Sequence, residues 1–470
     1  MSGATSTGAR LAVGASAHDI YLLDHWEPQI VDSRNNSHVL SAMLTEETVP
    51  VGGRGYLFGT KTTRSNAVTT MRPGQGRLVD PRRQGGTLQG TFLKTWNARV
   101  KINRQLVNRQ SVEQDVLLKA IDDEMESIRD DMAVMENWTM YQDGSGRLAE
   151  VASVSGTNIT LRVNQDIPGN TSTTSTPTEF LEVGMRVAFV DDAGGSGVMA
   201  QIKTISGNVI TVSSAEDGAA ADISGSLTVG DWMVRAASFD TSTATDFLVD
   251  TSFKNDPMGI GGIFSTSNTQ DGVGRFPSLT DAGDTRTAQT PIQYYSDSSA
   301  SWSFQGNDAA TNTWNQAVIL SNSGTLRPLT EALIQEGFSE AEKRNNAMVD
   351  ILLCSVEMRD TLADQLLPNK RFTNTTELKA GFTALDFNGH KLVTDRHCQR
   401  NCIYGLALTS GGFRRIQSQP MHVDPGPSGV VWQQVPDRLD DVATMWGEWQ
   451  YVVDLRQRCG FKIVDITEIR

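Results

Sequence analysis

The residues best equipped for chemistry cluster once in this chain. His397-Cys398 and Cys402 set one imidazole and two thiols within six residues. Three soft ligands at that spacing could begin a zinc site, but a structural site needs a fourth ligand and a matching second pair, and neither follows. No metal is therefore expected. Gly55-Tyr-Leu-Phe-Gly59-Thr60-Lys61-Thr62 glances at a phosphate-binding loop, yet the Gly-x-x-x-x-Gly-Lys-Ser/Thr spacing fails. The carboxylate pairs Asp122-Asp123, Asp130-Asp131 and Asp440-Asp441 are adjacent in sequence, and adjacent positions on a helix do not converge on one target. There is no Gly-x-Ser-x-Gly elbow and no His-Glu-x-x-His. His18, His25, His38, His390 and His422 are scattered and read as structural. Without a nucleophile–base constellation the chain is not expected to be an enzyme or to carry a cofactor.

What remains is charge, and its placement is uneven. The chain has 470 residues and a formal net charge of −14, from 41 Lys and Arg against 55 Asp and Glu. That balance disfavours a general nucleic-acid binder, which is usually basic. Residues 51–110 nevertheless hold twelve bases and a single acid, Asp80, giving +11 and leaving −25 for the rest. The bases at the front of this stretch are Arg54, Lys61, Arg64, Arg72, Arg77, Arg82 and Arg83, set among many glycines, which predicts a flexible basic loop or long hairpin. Aromatic partners for base stacking are sparse there, limited to Tyr56, Phe58, Phe92 and Trp96. An acidic counterpart follows at once. From Glu113 to Glu136 nine acids face two bases, and they include Asp122, Asp123, Glu126, Asp130 and Asp131. The seven bases and these five acids are the candidate intersubunit contacts. A basic arm on an acidic neighbour of the same kind would set register and speed association.

Residues 111–142 are predicted as one long helix. Leu117, Ile121, Met125, Ile128, Met132 and Met135 keep one apolar face, and Ser111 stands where a cap belongs. The Asp143-Gly144-Ser145-Gly146 cluster ends it. Beyond, residues 147–236 alternate as short strands and repeat themselves. Val151–Leu161 matches Ile202–Val212, each a pair of strands around a Ser-Gly turn, and Leu181-Glu-Val-Gly184 matches Leu227-Thr-Val-Gly230. The repeat predicts a small antiparallel barrel or sandwich with internal pseudo-symmetry. Residues 238–313 read as irregular, and Gly259-Ile-Gly261-Gly262 does not promise a helix. An α/β region follows, with a helix over 329–343, a strand over 348–354, a helix from Ser355 to Leu367, strands at 392–393 and 402–404, and a closing strand pair at 449–455 and 461–466. The four cysteines make no disulfide framework, so a reducing compartment is expected. No stretch is long and apolar enough for a membrane span or a signal peptide, so no membrane partner is expected.

This order of segments resembles the major capsid protein of tailed bacteriophages, the Hong Kong 97-type fold. Gln142-Asp143-Gly144-Ser145-Gly146 is similar to the exit from that family's spine helix. Phe387-Asn-Gly-His-Lys-Leu-Val-Thr-Asp395 with Cys402-Ile403-Tyr404 resembles its axial-domain hairpin and strand, and Phe461-Lys-Ile-Val-Asp-Ile-Thr467 its closing peripheral strand. The resemblance implies an α+β chain divided into an N-terminal arm (1–50), an extended basic loop (51–91), a peripheral domain (92–146) with spine helix 111–142, an inserted β domain (147–236), a connecting segment (237–309), an axial domain (310–430) and a return to the peripheral domain (431–470). It implies pentamers and hexamers closing an icosahedral shell around double-stranded DNA. The shell would form in the bacterial cytoplasm and become part of the virion, with scaffolding, portal and cement proteins as further partners. None of Lys61, Lys94 and Lys101 matches the motif by which some members crosslink, so no covalent crosslink is expected. Two rivals stay open: a same-fold compartment shell enclosing protein cargo, and a tail or adhesin protein whose β module binds a glycan.

Overall fold

The computed structural model describes residues 39–49, 56–65, 67–68, 70, 80, 83–91, 93–103, 114–142, 144, 146–162, 178, 181–190, 197–215, 218–236, 251–252, 255–264, 303–304, 307–308, 316–322, 325–345, 348–366, 375–377, 383–387, 389–408, 411–424, 433–434, 440–454 and 456–467. Predictions that fall elsewhere, such as the Ser111 cap, lie outside these residues.

Two sheets build the body. In the first, the long strand Asp440–Val452 runs between Lys94–Asn103 on one side and Arg414–Val423 on the other, both antiparallel. Glu46–Thr48 adds in parallel to Arg414–Val423, and Gln433–Gln434 completes the five-stranded sheet. Ala443, Met445, Gly447 and Trp449 are buried, while Val442, Thr444, Trp446 and Glu448 between them stay half-buried. This is the period of two that a strand with one covered face must show. Trp96 stacks on Trp449 with centroids 5.4 Å apart, fastening two strands across that face.

The second sheet has seven described strands in the order Val318–Leu320, Gly460–Ile463, Ile403–Leu406, Ile351–Cys354, His390–Thr394, Thr383–Phe387 and Thr375–Glu377. Its central strand Ile351–Cys354 is buried at every residue because both faces are covered. Leu352 and Cys354 pack with Leu333, Ile334, Met358 and Leu362 of the helices Glu331–Asn345 and Val356–Leu366. Ile351, Leu353 and Tyr404 pack on the opposite side with Met140, Tyr141, Phe413 and Trp449, which joins this sheet to the first. Both helices start on hydroxyl caps: the Leu333 amide donates to Thr330 Oγ1 at 3.2 Å, and the Met358 amide to Ser355 Oγ at 3.3 Å.

Three expectations need correction here. The strand expected from Met348 begins only at Ile351, and Met348 itself is 77 % exposed. The closing pair does not pair with itself, because Asp440–Val452 belongs to the first sheet and Gly460–Ile463 to the second. Gly259-Ile-Gly-Gly262 does lead into one helical turn, Ile260–Ile263, wholly buried. Glycine is required at 259 because a Cβ there would fall 2.1 Å from the Met140 carbonyl oxygen at the end of the long helix.

The repeated segment closes into a six-stranded antiparallel barrel. Its halves are equivalent strand for strand: Arg147–Ser155 with Gly197–Ser206, Asn158–Leu161 with Val209–Ser213, and Arg186–Val190 with Trp232–Arg235. The turn glycines match, Gly156 and Gly207 at φ 59° and 61°, and Gly184 and Gly230 at 95° and 91°. Equivalent bulges follow Val151 and Ile202. Ile159 pairs with its own counterpart Ile210, and Ala188 with Val234, so an approximate two-fold axis passes between them. The halves differ in charge at the buried Glu150. Glu150 is held by Arg147 at 2.8 Å and Arg162 at 3.0 Å, whereas its counterpart is the neutral Gln201. Among the described residues no helix is long and apolar enough to cross a membrane.

Candidate assembly surface

The basic stretch is an ordered ribbon rather than a loose loop over its described part. Tyr56–Thr63 pairs antiparallel with Gly85–Thr91, from Tyr56 opposite Thr91 to Thr63 opposite Gly85. This extended strand also disposes of the phosphate-loop reading, since its backbone does not wrap. Tyr56, Phe58 and Thr60 face inward and Leu57, Gly59 and Lys61 outward. On the partner strand Gln89 and Thr91 are buried, so the base of the ribbon lies on the body. Lys61, Arg64 and Arg83 are exposed. Arg54, Arg72, Arg77 and Arg82 lie outside the described residues. Lys94, Arg99 and Lys101 belong to the first sheet and so add nothing to the ribbon's charge.

The candidate acids lie on the helix Gln114–Tyr141. Glu126 is exposed, and Asp130 and Asp131 are half-buried. Asp122 and Asp123 lie in the same helix, their side chains outside the described set. The expected apolar face is only partly covered. Met125, Ile128, Met132 and Met135 are half-buried, and full burial begins at Asn137 and runs through Tyr141. The tertiary core grips the helix by its last turn.

Sequence reasoning missed the groups that seat the N-terminal strand and the ribbon. Glu46 and Arg415 are register partners in the parallel pairing, and Arg415 Nη1 donates to Glu46 at 3.3 Å and also to Glu136 of the long helix. The guanidinium lies over Trp449, 4.4 Å from the ring centroid. Beside it Arg414 reaches Glu47 at 3.4 Å and Asp454 at 2.9 Å. The signal in the sequence was two like-charged pairs of opposite sign, Glu46-Glu47 and Arg414-Arg415, but nothing in it placed them on adjacent strands.

Burial pushes the Glu136 carboxyl above its ordinary value and the neighbouring Glu46 adds to this, while Arg415 pulls it down. Between the ordinary and the raised value the folded chain therefore binds more proton than the unfolded one, and stability falls as pH rises through that window. Glu136→Gln is expected to remove this fall. Melting temperatures of the two proteins measured from pH 4 upward should diverge across the window and run parallel above it; parallel curves throughout would contradict the assignment.

Arg235, the last residue of the barrel's final strand, fixes the barrel to the body. It donates to Asp256 at 2.6 and 2.7 Å, lies 5.5 Å from the Trp96 centroid and 5.3 Å from that of Trp138, and touches Met135 Sδ at 3.5 Å. One side chain thus ties the barrel to the first sheet and the long helix.

The cluster that first suggested a metal is a buried joint. Asn137 Nδ2 donates to both Asp395 oxygens at 3.1 Å and lies 2.9 Å from His397 Nδ1. Burial pushes Asp395 up, but hydrogen bonds from His397 and Asn137 outweigh it and hold the carboxyl below its usual value. Cys402 Sγ donates to the Gln399 carbonyl at 3.2 Å. Cys398 is buried, and its thiol is pushed up by burial and then by its hydrogen bond with Cys402. Gln399 Oε1 accepts from Tyr404 at 2.6 Å and from the buried Lys462 at 2.8 Å. Among the described residues no three His, Cys, Asp or Glu side chains converge as metal ligands would. The joint locks the end of the long helix to the second sheet.

No protein-family model matches the chain, and no curated protein matches it. Among solved structures it is similar to a chain of the cyanophage A-1(L) capsid asymmetric unit, with a TM-score of 0.49 and 11 % identity, covering 95 % of this chain and 97 % of that one. It is similar to the holo-SrpI encapsulin complex from Synechococcus elongatus PCC 7942, with a TM-score of 0.42, 7 % identity and coverage of 96 % and 95 %. For Gordonia phage Cozz the TM-score is 0.41, the identity 8 % and the coverage 99 % and 98 %.

Proposed function

We propose that the chain is the major capsid protein of a tailed bacteriophage, a structural protein that assembles as pentamers and hexamers into an icosahedral shell around double-stranded DNA. The observation that carries this reading is the ordered ribbon. Its base is seated on the body while Lys61, Arg64 and Arg83 are exposed cations, and a separate long helix of the same chain carries the exposed Glu126 and the half-buried Asp130 and Asp131. Two complementary patches on different elements of one chain make a heterologous contact, which repeats head to tail and closes into rings. Opposite charges set the register of that contact and speed its formation. The sequence resemblance supplies the rest of the scheme: the barrel is an inserted domain, the two sheets carry the peripheral and axial regions, and scaffolding, portal and cement proteins are the outside partners. An acidic inner wall would repel packaged DNA and let it slide. No residue is assigned a catalytic role.

Negative-stain electron microscopy of the purified full chain tests the proposal. Closed polyhedra are expected. Tubes, or discrete small oligomers under every assembly condition tried, would overturn it. Polyhedra recovered from infected cells with protein cargo in place of DNA would favour a compartment shell.

A further inference from the structure

We infer that Arg414 and Asp454 are the positioning residues of the ribbon: the pair fixes the angle at which the ribbon leaves the body and so aims its cations at the neighbouring copy. The inference rests on the shell reading and deepens it. Two inward residues of the strand Tyr56–Thr63 meet this pair. Arg414 Nη1 donates to Asp454 Oδ1 at 2.9 Å. The Tyr56 hydroxyl, at the ribbon's first residue, lies close enough to the same guanidinium to raise its proton affinity. Thr60, four residues on and on the same face, donates from Oγ1 to the Asp454 backbone carbonyl at 3.3 Å. The third arm of Arg414 reaches Glu47 at 3.4 Å, which ties the N-terminal strand to the same point.

The fit around the pair is close. The Asp454 amide donates to the Gly411 carbonyl at 3.3 Å, and Gly411 adopts φ +84°, where a Cβ would fall 2.9 Å from Asp454 Oδ2. The chain is thus bent to bring its backbone against the carboxylate. A two-stranded ribbon alone is marginal in water and would swing about its base. Two inward contacts four residues apart, one at the Arg414 guanidinium and one at the Asp454 backbone carbonyl, define a line and therefore an angle. A planar guanidinium is suited to this because it holds several acceptors in fixed directions, which an ammonium does not.

The test separates aim from fold. The described cysteines, Cys354, Cys398, Cys402 and Cys459, are all buried, so new surface cysteines at Lys61 and Glu126 take spin labels selectively. In the unassembled full chain, Arg414→Gln and Asp454→Asn are expected to broaden the label-to-label distance distribution while melting temperature stays close to wild type. Particle yield should fall about tenfold or more, because every copy in a ring must aim correctly. Arg414→Lys should recover little of the yield, and the exchange Arg414→Asp with Asp454→Arg should narrow the distribution again. Tyr56→Phe deletes one hydroxyl only and keeps the ring, so it reports even where the charge variants fold poorly; it should broaden the distribution in part. An unchanged distribution in Tyr56→Phe and Arg414→Gln overturns the inference, as does a broadened distribution with wild-type particle yield. Absence of particles from the wild-type chain would instead overturn the shell reading.

Discussion

Exchanging Lys61, Arg64 and Arg83 together for glutamate is expected to abolish closed particles while leaving a folded subunit. All three side chains are exposed, so their loss from the subunit itself should change stability by no more than a few tenths of a kcal/mol each, about ±0.5. The exchange takes the formal net charge from −14 to −20. An exposed ion pair is worth roughly 0.2–1 kcal/mol, and reversal replaces each attraction with a repulsion of similar size. Over three sites that is on the order of 1–6 kcal/mol per contact, enough to lower a contact's equilibrium constant by about five-fold to roughly twenty-thousand-fold. A shell repeats the contact in every ring, so the losses compound. Sedimentation velocity and circular dichroism read the two halves of the prediction. Folded subunits without particles are expected, and particles at wild-type yield would contradict the role given to the ribbon. Raising the salt should weaken wild-type assembly in the same direction, because salt screens exposed ion pairs and the longer-range attraction that brings the patches together.

Gly460→Ala is expected to leave little folded subunit. Gly460 has φ +125°, a region closed to residues with a Cβ, and the added carbon would fall 1.8 Å from the Gly405 carbonyl oxygen on the neighbouring strand. That strand cannot retreat without breaking the pairing of Leu406 with Gly460 and Gly405 with Phe461. The cost is about 3–5 kcal/mol, from backbone strain and overpacking together, against a total stability of roughly 5–15 kcal/mol. Gly405 and Gly337 offer a comparison, because a Cβ there would meet the Phe461 ring at 2.4 and 2.6 Å. Gly405→Ala should be relieved in part by Phe461→Leu, since its clash is with a side chain. Gly460→Ala should not be, since its clash is with backbone. Soluble yield and melting temperature decide this, and a wild-type melting temperature for Gly460→Ala would contradict the account.

Local pattern carried much of this fold. The apolar period from Met125 to Met135 announced the long helix, and the twin Ser-Gly turns at 155–156 and 206–207 announced the repeat that the barrel builds. Ser355 and the apolar run 351–354 marked a strand-to-helix step within a residue or two. What sequence could not show was anything set by partners distant in the chain. Phe461–Ile466 reads as a strand next to Trp449–Leu455, but a strand's partner is chosen by the face it must bury, and here that face belongs to 403–406 and 318–320. His397, Cys398 and Cys402 look like ligands in a line of text. In space the imidazole turns to Asn137, some 260 residues away in sequence, and Cys402 turns to the Gln399 carbonyl. The charged residues of the ribbon were legible as a group. Their aim was not, because Arg414 and Asp454 are ordinary surface-type residues until the sheet brings them under Tyr56 and Thr60.

In the proposed shell the ribbon of one copy lies on the long helix of the next. Cryo-electron microscopy of assembled particles, at a resolution that traces side chains, tests it most directly. Lys61, Arg64 and Arg83 of one copy are expected within ion-pair distance of Glu126, Asp130 or Asp131 of the adjacent copy, around closed five- and six-membered rings. A map in which the ribbon folds back on its own chain, or in which the helix acids face solvent while closed rings form by other surfaces, would contradict it.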